Sequence, residues 1–352
     1  MSSFSDQHLL DLGFTAALAA ALPPDCIPAR VSRVDRGGCD LLTEAGPLRA
    51  TLGSALLGSD PMGAACTGDW VAVRRWPDGP VTVEAVLPRR SALVRSSPVR
   101  AARPQLLAAN ADFVLVCHGL SQAPRLNRIE RFIALAWESG AQPVVVLTKA
   151  DLATDAEQLR EETERNVPGV PVHAVSATTG HGVEELREYV APGLTAALIG
   201  PSGAGKSTLA NALLGAEVLA TGEIRDDGKG RHTTVTRELA LVPGGGVLLD
   251  TPGLRGVGLW LVDEGLEKTF ADVEELAAQC RFHDCGHDTE PGCEVQQALT
   301  DGVLPWRRFE SWRKLQREAR WVAVRHDARL RAEARKDLVR FSKAVRSQRN
   351  RP

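Results

Sequence analysis

The segment GPSGAGKST, from Gly200 to Thr208, constrains the fold more than any other part of this sequence. It follows the apolar run LTAALI and precedes the helical stretch LANALLG, which is the strand–loop–helix context of a P-loop. Glycines in such a loop let backbone N–H groups approach phosphate oxygens, and the following helix presents its positive end to the same anion. A Gly-rich turn with a chance lysine is the alternative, but the complete pattern favours a phosphate-binding site.

Two elements are expected to hold the phosphates and their magnesium ion. Lys206 can reach the β- and γ-phosphates, and the Ser207 hydroxyl can ligate Mg²⁺. The strand VLLD ends at Asp250, which is expected to hold the magnesium through water, while Gly253 offers its backbone N–H to the γ-phosphate. The predicted loop residues are Gly200, Pro201, Ser202, Gly203, Ala204, Gly205, Lys206, Ser207 and Thr208.

The segments TKAD and SAT indicate which base is bound. The Asp151 carboxylate can accept from guanine N1–H and the 2-amino group, a donor pair that adenine lacks, so adenine would leave the charge unpaired. The Lys149 stem can cover a base face, and the SAT backbone can reach guanine O6. Each segment alone is a weak signal, but together with the P-loop they favour GTP over ATP. The predicted base-site residues are Thr148, Lys149, Ala150, Asp151, Ser176, Ala177 and Thr178.

Three closely spaced cysteines predict a metal site. Cys280, Cys285 and Cys293, together with His287 or His283, offer thiolates and an imidazole that suit one closed, structural, tetrahedral zinc ion per chain. A redox-active pair or buried unpaired thiols are the alternatives. The total of seven cysteines is odd, which favours a reducing cytoplasm over a disulfide scaffold.

The net charge of -2 conceals a strong separation of charge. Residues 306–352 hold 16 of the 42 Lys+Arg and 5 of the 44 Asp+Glu, so the preceding residues hold 26 and 39. Such a basic segment is typical of contact with a polyanion, and a solvated helix with scattered Glu partners is the alternative. Helical spacing predicts that four residues in the first turns of this segment pack on the metal module: Trp306, Phe309, Trp312 and Leu315.

Hydrophobic periodicity predicts a multi-domain α/β chain. Short alternating strands indicate a small barrel, either OB-like or SH3-like, for which we favour OB-like, and doubly buried strands alternating with helices indicate a parallel sheet. The predicted domains are a helical extension (1–26), the barrel (27–95), a linker (96–104), the nucleotide-binding domain (105–262) and a metal-binding domain with a basic C-terminal helix (263–352). The apolar run from Leu9 to Leu22 is expected to be a surface-packed helix, because Asp11 interrupts it and no basic region precedes it.

The motifs TKAD, SAT, GPSGAGKST, GRHTT and DTPG resemble those of a GTPase, but the base-reading pair precedes the P-loop. This order indicates a circular permutation of the same parallel sheet. With a barrel before it and a Cys/His cluster after it, the sequence over residues 27–300 resembles the ribosome small subunit-dependent GTPase (RsgA/YjeQ) family. Two departures stand out. Thr148 replaces the usual Asn and is expected to weaken nucleotide affinity, and Leu254 stands where many GTPases have a water-orienting Gln, a replacement also usual in the family.

The resemblance implies a cytoplasmic, monomeric GTPase that acts in late maturation of the small ribosomal subunit and contacts rRNA through its barrel. It also selects His287 as the fourth metal ligand. In the predicted switch segment, residues 221–234, His232 is the candidate catalytic residue, with an inactive loop histidine as the alternative, and Thr234 or Thr233 is expected to ligate magnesium. The rival functions are a GTP-sensing RNA-binding or regulatory protein that does not act on the ribosome, and a P-loop ATPase or kinase, which Asp151 disfavours.

Overall fold

The structure of the chain, a computed structural model, describes residues 6–54, 56, 62–96, 104–216, 238–250, 258–259 and 263–326. It divides into two compact units, residues 1–258 (the first unit) and 259–352 (the second unit). The helices are α1 (Asp6–Asp11), α2 (Ala16–Ala20), α3 (Leu126–Glu138), α4 (Ala156–Asn166), α5 (Lys206–Leu214), α6 (Asp263–Thr269), α7 (Ala271–Ala278), α8 (Glu294–Thr300) and α9 (Trp306–His326).

The strands follow the predicted change from a barrel to a parallel sheet. They are β1 (Ile27–Asp35), β2 (Gly38–Thr43), β3 (Gly46–Leu52), β4 (Trp70–Arg75), β5 (Val81–Val86), β6 (Ala92–Ser96), β7 (Pro104–Ala109), β8 (Phe113–Gly119), β9 (Gln142–Thr148), β10 (Val172–Ala174), β11 (Thr195–Ile199), β12 (Glu238–Leu241), β13 (Val247–Asp250) and β14 (Gly258–Leu259). Short 3-10 helices lie at Ala150–Leu152 and Glu185–Val190.

The first five strands form a closed barrel in the order β1-β2-β3-β5-β4. All neighbouring pairs are antiparallel except β3 and β5, which run parallel at Thr51↔Thr82 and Leu52↔Val83. The interior is filled by small and branched side chains, among them Ala29, Val31 and Val73, which are all fully buried. A five-stranded Greek-key barrel closed in this way is the OB arrangement, so the OB-like prediction is confirmed over the SH3-like alternative.

The nucleotide domain is built on a six-stranded sheet in the order β10-β9-β8-β11-β13-β12. All of its strands are parallel except the edge strand β12, which runs antiparallel to β13. The central strands are buried on both faces, which explains their continuous apolar sequences. Because the strands are parallel, the loops that follow β8, β9, β11 and β13 emerge at one edge, which we call the nucleotide edge. The predicted α/β fold class is thereby confirmed.

The predicted linker at residues 96–104 lies between two paired strands. β6 and β7 form an antiparallel hairpin in register at Ser96↔Pro104, and residues 97–103 lie outside the described part. Leu106 and Ala109 of β7 are buried together with Cys66, which precedes β4 of the barrel. The proline and arginine content of residues 96–104 is typical of a linker. The apolar contacts of β6 and β7 instead hold the residues on both sides of this segment in a hairpin.

The predicted N-terminal helix is divided into α1 and α2 by Gly13, which has φ +86°. Leu9, Leu12 and Leu18 are buried, so the segment packs on the first unit as expected. A Cβ at Gly13 would lie 2.8 Å from the carbonyl oxygen of Gly193, so the close approach also requires glycine. No helix in the described residues is both long enough and apolar enough to cross a membrane.

Arg30 of β1 is fully buried and joins three parts of the first unit. Its guanidinium donates to the carbonyl of Leu12 in the N-terminal segment and, at 3.3 Å, to the carbonyl of Asn110 after β7. It also donates to Thr195 Oγ1 (2.8 Å) at the start of β11, and it lies 5.6 Å from the ring centre of Trp70. Burial lowers the pKa of Arg30 to about 10, so the side chain stays charged at neutral pH. This network fixes the barrel against the nucleotide sheet.

The second unit consists of helices packed around aromatic side chains. Arg308 of α9 lies 4.4 Å above the ring of Phe270 and forms an ion pair with Asp272 at 2.8 Å. Phe309, Trp312 and Leu315 are buried, as the helical spacing predicts. Trp306 departs from that prediction, because 57% of it is exposed. It begins α9 at the end of the buried face, and its ring centre lies 5.7 Å from that of Phe309.

We predict that Arg30→Met lowers the free energy of unfolding by about 3 kcal/mol, because it leaves buried carbonyl and hydroxyl acceptors without a donor. Urea denaturation measures this effect. Arg36→Met, in the exposed turn after β1, is the matched control and should change stability by less than about 0.5 kcal/mol. Equal stability of the two variants would contradict the role given to Arg30.

Candidate nucleotide and metal sites

The P-loop occupies the centre of the nucleotide edge. β11 ends at Ile199, the loop follows, and α5 begins at Lys206. The ammonium of Lys206 lies across the loop, 3.0 Å from the carbonyl oxygen of Gly200 and 2.9 Å from that of Pro201. The amino-terminal end of α5 carries a positive partial charge, which favours an anion at this place. The segment therefore has the strand–loop–helix arrangement that the sequence predicts.

Two glycines of this loop are required by close contacts. Gly200 has φ +141°, and a Cβ there would overlap the carbonyl oxygen of Cys117 in β8. Gly205 has φ +75°, and a Cβ there would lie 3.2 Å from Thr148 Oγ1. The loop therefore packs directly against the neighbouring strand ends, and side chains at these positions would push it away.

Thr148 ends β9 and contacts the P-loop directly. Its Oγ1 donates to the carbonyl oxygen of Ala204 at 2.6 Å and lies 3.4 Å from the carbonyl oxygen of His118. The residue is almost fully buried. The hydroxyl thus ties the end of β9 to the P-loop. The predicted effect of Thr148 on nucleotide affinity stays a prediction.

The remaining residues of the guanine motif follow a sharp backbone turn. Lys149 has φ +60°, an uncommon conformation for a residue other than glycine, and its stem passes beside Gly119 and Gly205. Ala150 is buried, and its N–H donates to the carbonyl of Val175 at 3.0 Å. Asp151 lies next to it with an exposed side chain. The turn thus places the Asp151 carboxylate at the surface of the nucleotide edge, where a base can reach it.

The SAT segment lies beside the guanine motif because Val175 connects the two. Ser176 is buried, and its Oγ accepts the N–H of Thr179 at 3.2 Å. Ala177 is half-buried and Thr178 is exposed. The structure therefore brings the two predicted base-reading segments together next to the P-loop.

The predicted magnesium and switch residues are only partly described. Asp250 ends β13, and its backbone is in register with Leu198 of β11, which places it at the nucleotide edge beside the P-loop strand. Gly253 lies outside the described residues, and so do His232, Thr233 and Thr234. Their roles remain predictions.

His118 is a residue near the site that the sequence analysis did not single out. It lies in β8 with 7% exposure, and its Nε2 accepts the N–H of Arg125, the residue before α3, at 3.3 Å. Burial holds the pKa of His118 below its usual value, so the imidazole is neutral. The only signal in the sequence is a polar residue at the end of the apolar run ADFVLVCHG.

The four predicted metal ligands of the second unit converge. The ligand atoms of Cys280, Cys285, His287 and Cys293 all lie within 4.8 Å of one another. His287 Nδ1 lies 3.6 Å from Cys280 Sγ and 3.5 Å from Cys293 Sγ, and the two sulfurs are 3.8 Å apart. A tetrahedral zinc with ordinary bond lengths gives edges of about 3.8 Å between sulfurs and about 3.6 Å between sulfur and nitrogen. The donor set and its spacing therefore fit zinc, and His283 is not part of the cluster.

The surroundings of the cluster hold its ligands in place. Cys293 caps α8, where its Sγ accepts the N–H of Gln296 at 3.4 Å. The carbonyl of His287 accepts from the Gln296 side chain at 2.5 Å, and the His287 ring lies 5.5 Å from that of Trp312. Burial holds the pKa of His287 below its usual value, which favours the neutral imidazole that coordinates metals.

One side of α9 carries cations together with aromatic rings. An exposed stripe of the helix is formed by residues spaced three or four positions apart, namely Trp306, Glu310, Lys314, Arg317 and Trp321. Arg320 is exposed next to them. A stripe of this composition suits contact with a nucleic acid through phosphates and bases.

The chain is similar to known proteins over nearly its whole length. A family model described as RsgA GTPase matches residues 86–260. A protein of Streptomyces avermitilis, named small ribosomal subunit biogenesis GTPase RsgA, is 52% identical over 346 residues, which cover 96% of this chain and 93% of the relative. Its namesake in Opitutus terrae is 44% identical and covers 97% of each chain.

Two solved structures have the same fold. YjeQ from Thermotoga maritima gives a TM-score of 0.62 at 25% identity, covering 84% of this chain and 98% of that one. YloQ, described as a circularly permuted GTPase, gives a TM-score of 0.60 at 22% identity, covering 84% and 95%. The fold of this chain is therefore shared with both structures. The relatives that are 52% and 44% identical align with nearly the whole of this chain and of their own, which confirms the resemblance found in the motifs. The chain therefore belongs to the RsgA family of GTPases.

Proposed function

We propose that this chain hydrolyses GTP to GDP and phosphate on the small ribosomal subunit, contacts its rRNA, and acts in late maturation of the subunit, which it leaves after hydrolysis. The observation that carries the proposal is the folded P-loop, braced by Thr148 and flanked by both base-reading segments, in a chain 52% identical to named small-subunit biogenesis GTPases. A cytoplasmic location and a monomeric state are part of the same proposal.

Guanine selectivity is assigned to Asp151. Its exposed carboxylate can accept from N1–H and the 2-amino group of guanine, whereas adenine presents no donor pair of this geometry. The Ala150 N–H, next to Asp151, donates to the carbonyl of Val175, which holds the guanine motif beside the SAT segment. The remaining residues of TKAD and SAT shape the walls of the base site.

Phosphate binding and hydrolysis are assigned to the P-loop, to the predicted switch segment and to the DTPG motif that begins at Asp250. Lys206 and the loop N–H groups bind the phosphates, and Gly253 adds a further N–H. Ser207 and Thr234 would ligate Mg²⁺, with Asp250 acting through water, and the ion would neutralise charge on the phosphates. Leucine follows Gly253 and cannot orient water, so His232 is proposed to do so when a partner binds.

The Cys/His cluster is proposed to hold one structural zinc. Three thiolates and a buried imidazole with tetrahedral spacing occupy all four positions, which leaves none open for catalysis. Because Trp312 packs on the His287 ring, the metal would stabilise the core from which α9 extends. The exposed stripe of α9 is then the surface proposed to face rRNA, together with the barrel.

We predict that purified small ribosomal subunits raise the GTP turnover of this protein by at least about tenfold, because the bound partner positions His232 and through it the attacking water. His232→Ala should keep the intrinsic turnover and lose the stimulation. Phosphate release with GTP or ATP, with and without subunits, measures both effects, and Lys206→Ala is the inactive control.

The other outcomes of this experiment identify the rival functions. GTP turnover that subunits leave unchanged indicates a GTP sensor that does not act on the ribosome. A preference for ATP indicates an ATPase or kinase and contradicts the role of Asp151. Full stimulation of His232→Ala contradicts only the catalytic assignment.

We predict that Thr148→Val weakens GDP and GTP binding about tenfold, because it keeps the shape of the side chain but leaves the buried carbonyl of Ala204 without its donor. Thr148→Ser keeps the hydroxyl and is the matched control. Calorimetric titration measures both, and unchanged affinity in Thr148→Val would exclude the bracing role. Thr148→Asn tests whether the natural threonine weakens binding.

We predict that the purified protein contains about one zinc per chain and that Cys285→Ser lowers this content, because the four ligands act as one set. Chelation should lower the thermal stability of the second unit and leave the intrinsic GTP turnover unchanged. Cys26→Ser, outside the cluster, is the control. A fully folded protein without metal would refute the site.

A further inference from the structure

The first strand of the barrel contacts the nucleotide sheet at two places. Arg30 is anchored at the start of β11, the strand that leads into the P-loop. Three residues later, Arg33 forms an ion pair of 3.4 Å with Glu238, the first residue of the edge strand β12, beside which β1 packs. The barrel is thus tied to two strands of the sheet that binds the nucleotide.

Glu238 begins the edge strand β12, next to the end of β13. In sequence it directly follows residues 217–237, which include the predicted switch segment. In the sheet it pairs with Asp250, the residue at which β13 ends. Asp250 in turn is in register with Leu198, just before the P-loop. Glu238, which pairs with Arg33, is therefore the first described residue after the predicted switch segment, and it lies beside the end of β13.

The two contacts of β1 differ in kind. Arg30 is fully buried, so its contacts break only at a high cost in free energy. The Arg33 and Glu238 side chains are 39% and 47% exposed, and such ion pairs contribute little to stability. The first contact is suited to a permanent anchor, and the second can form and break without unfolding either domain.

We propose that Arg33 and Glu238 are a positioning pair through which the barrel regulates GTP hydrolysis. This inference rests on the proposed ribosomal function. When the barrel engages the subunit, Arg33 holds the start of β12 at Glu238, next to the end of β13 at Asp250, in the arrangement that hydrolysis requires. Neither residue touches the nucleotide. Their contribution is to the stimulated rate and not to nucleotide binding or to the intrinsic rate.

Charge reversal tests the pair. Arg33→Glu and Glu238→Arg should each lower the subunit-stimulated kcat by roughly two- to fivefold, which is the range that an exposed ion pair supports. The KM for GTP, the intrinsic turnover and the affinity for subunits, measured by co-sedimentation, should stay unchanged. The double variant, with the charges exchanged, should recover the stimulated kcat, because it restores the pair and the net charge. Arg36→Glu adds a carboxylate to the same end of the barrel and is the control.

The possible results separate the role of the Arg33–Glu238 pair from the ribosomal function on which it rests. Full stimulation in both single variants, or no recovery in the double variant, overturns the positioning pair while the ribosomal function stands. An equal loss of intrinsic and stimulated turnover also overturns it, since it indicates structural support alone. An unstimulated wild type overturns the proposed function and the regulation with it.

Discussion

The charged guanidinium of Arg30 is buried where the N-terminal segment, the barrel and the nucleotide sheet meet. Burying a cation is costly unless hydrogen bonds compensate it, and two of the acceptors of Arg30 are main-chain carbonyls. One belongs to Leu12, just before the turn at Gly13, and the other to Asn110, which has φ +57°. The N-terminal segment and this strained turn are therefore parts of the joint between barrel and nucleotide sheet, and Thr195 connects the joint to the strand before the P-loop.

The nucleotide edge explains why a permuted motif order can still build a GTP site. In a parallel sheet the loops at the carboxyl ends meet at one edge, whatever their order along the chain. Here the guanine motif comes before the P-loop in sequence, yet Thr148 reaches the carbonyl of Ala204 at 2.6 Å. A hydroxyl suffices for this contact because Gly205 allows the loop to approach the strand end closely. The fold therefore brings the guanine motif and the P-loop into direct contact although their order along the chain is permuted.

The parts of this protein that could be predicted from sequence are those whose chemistry fixes both residue type and spacing. The P-loop, the guanine motif and the Cys/His cluster belong to this class, and the fold class followed from the periodicity of the strands. The paired strands β6 and β7 were missed because their composition is typical of a linker and their burial depends on the barrel. Arg30 gave no signal, since an arginine in a polar strand pattern is expected to be exposed. Trp306 was misplaced because helical spacing shows which residues share a face but not where the core ends.

In the second unit, the predicted metal cluster and the start of helix α9 pack against each other. A unit of this size has little apolar core, and small domains commonly rely on a metal for stability. Trp312 lies against the His287 ring and donates to Glu274 at 2.8 Å, so the ligands and the start of α9 share one core. The preceding residues hold an acidic excess, whereas residues 306–352 hold 16 basic side chains against 5 acidic ones. The predicted metal ligands and the start of α9 therefore share one core in the second unit, whereas the P-loop and the base-reading segments lie in the first unit.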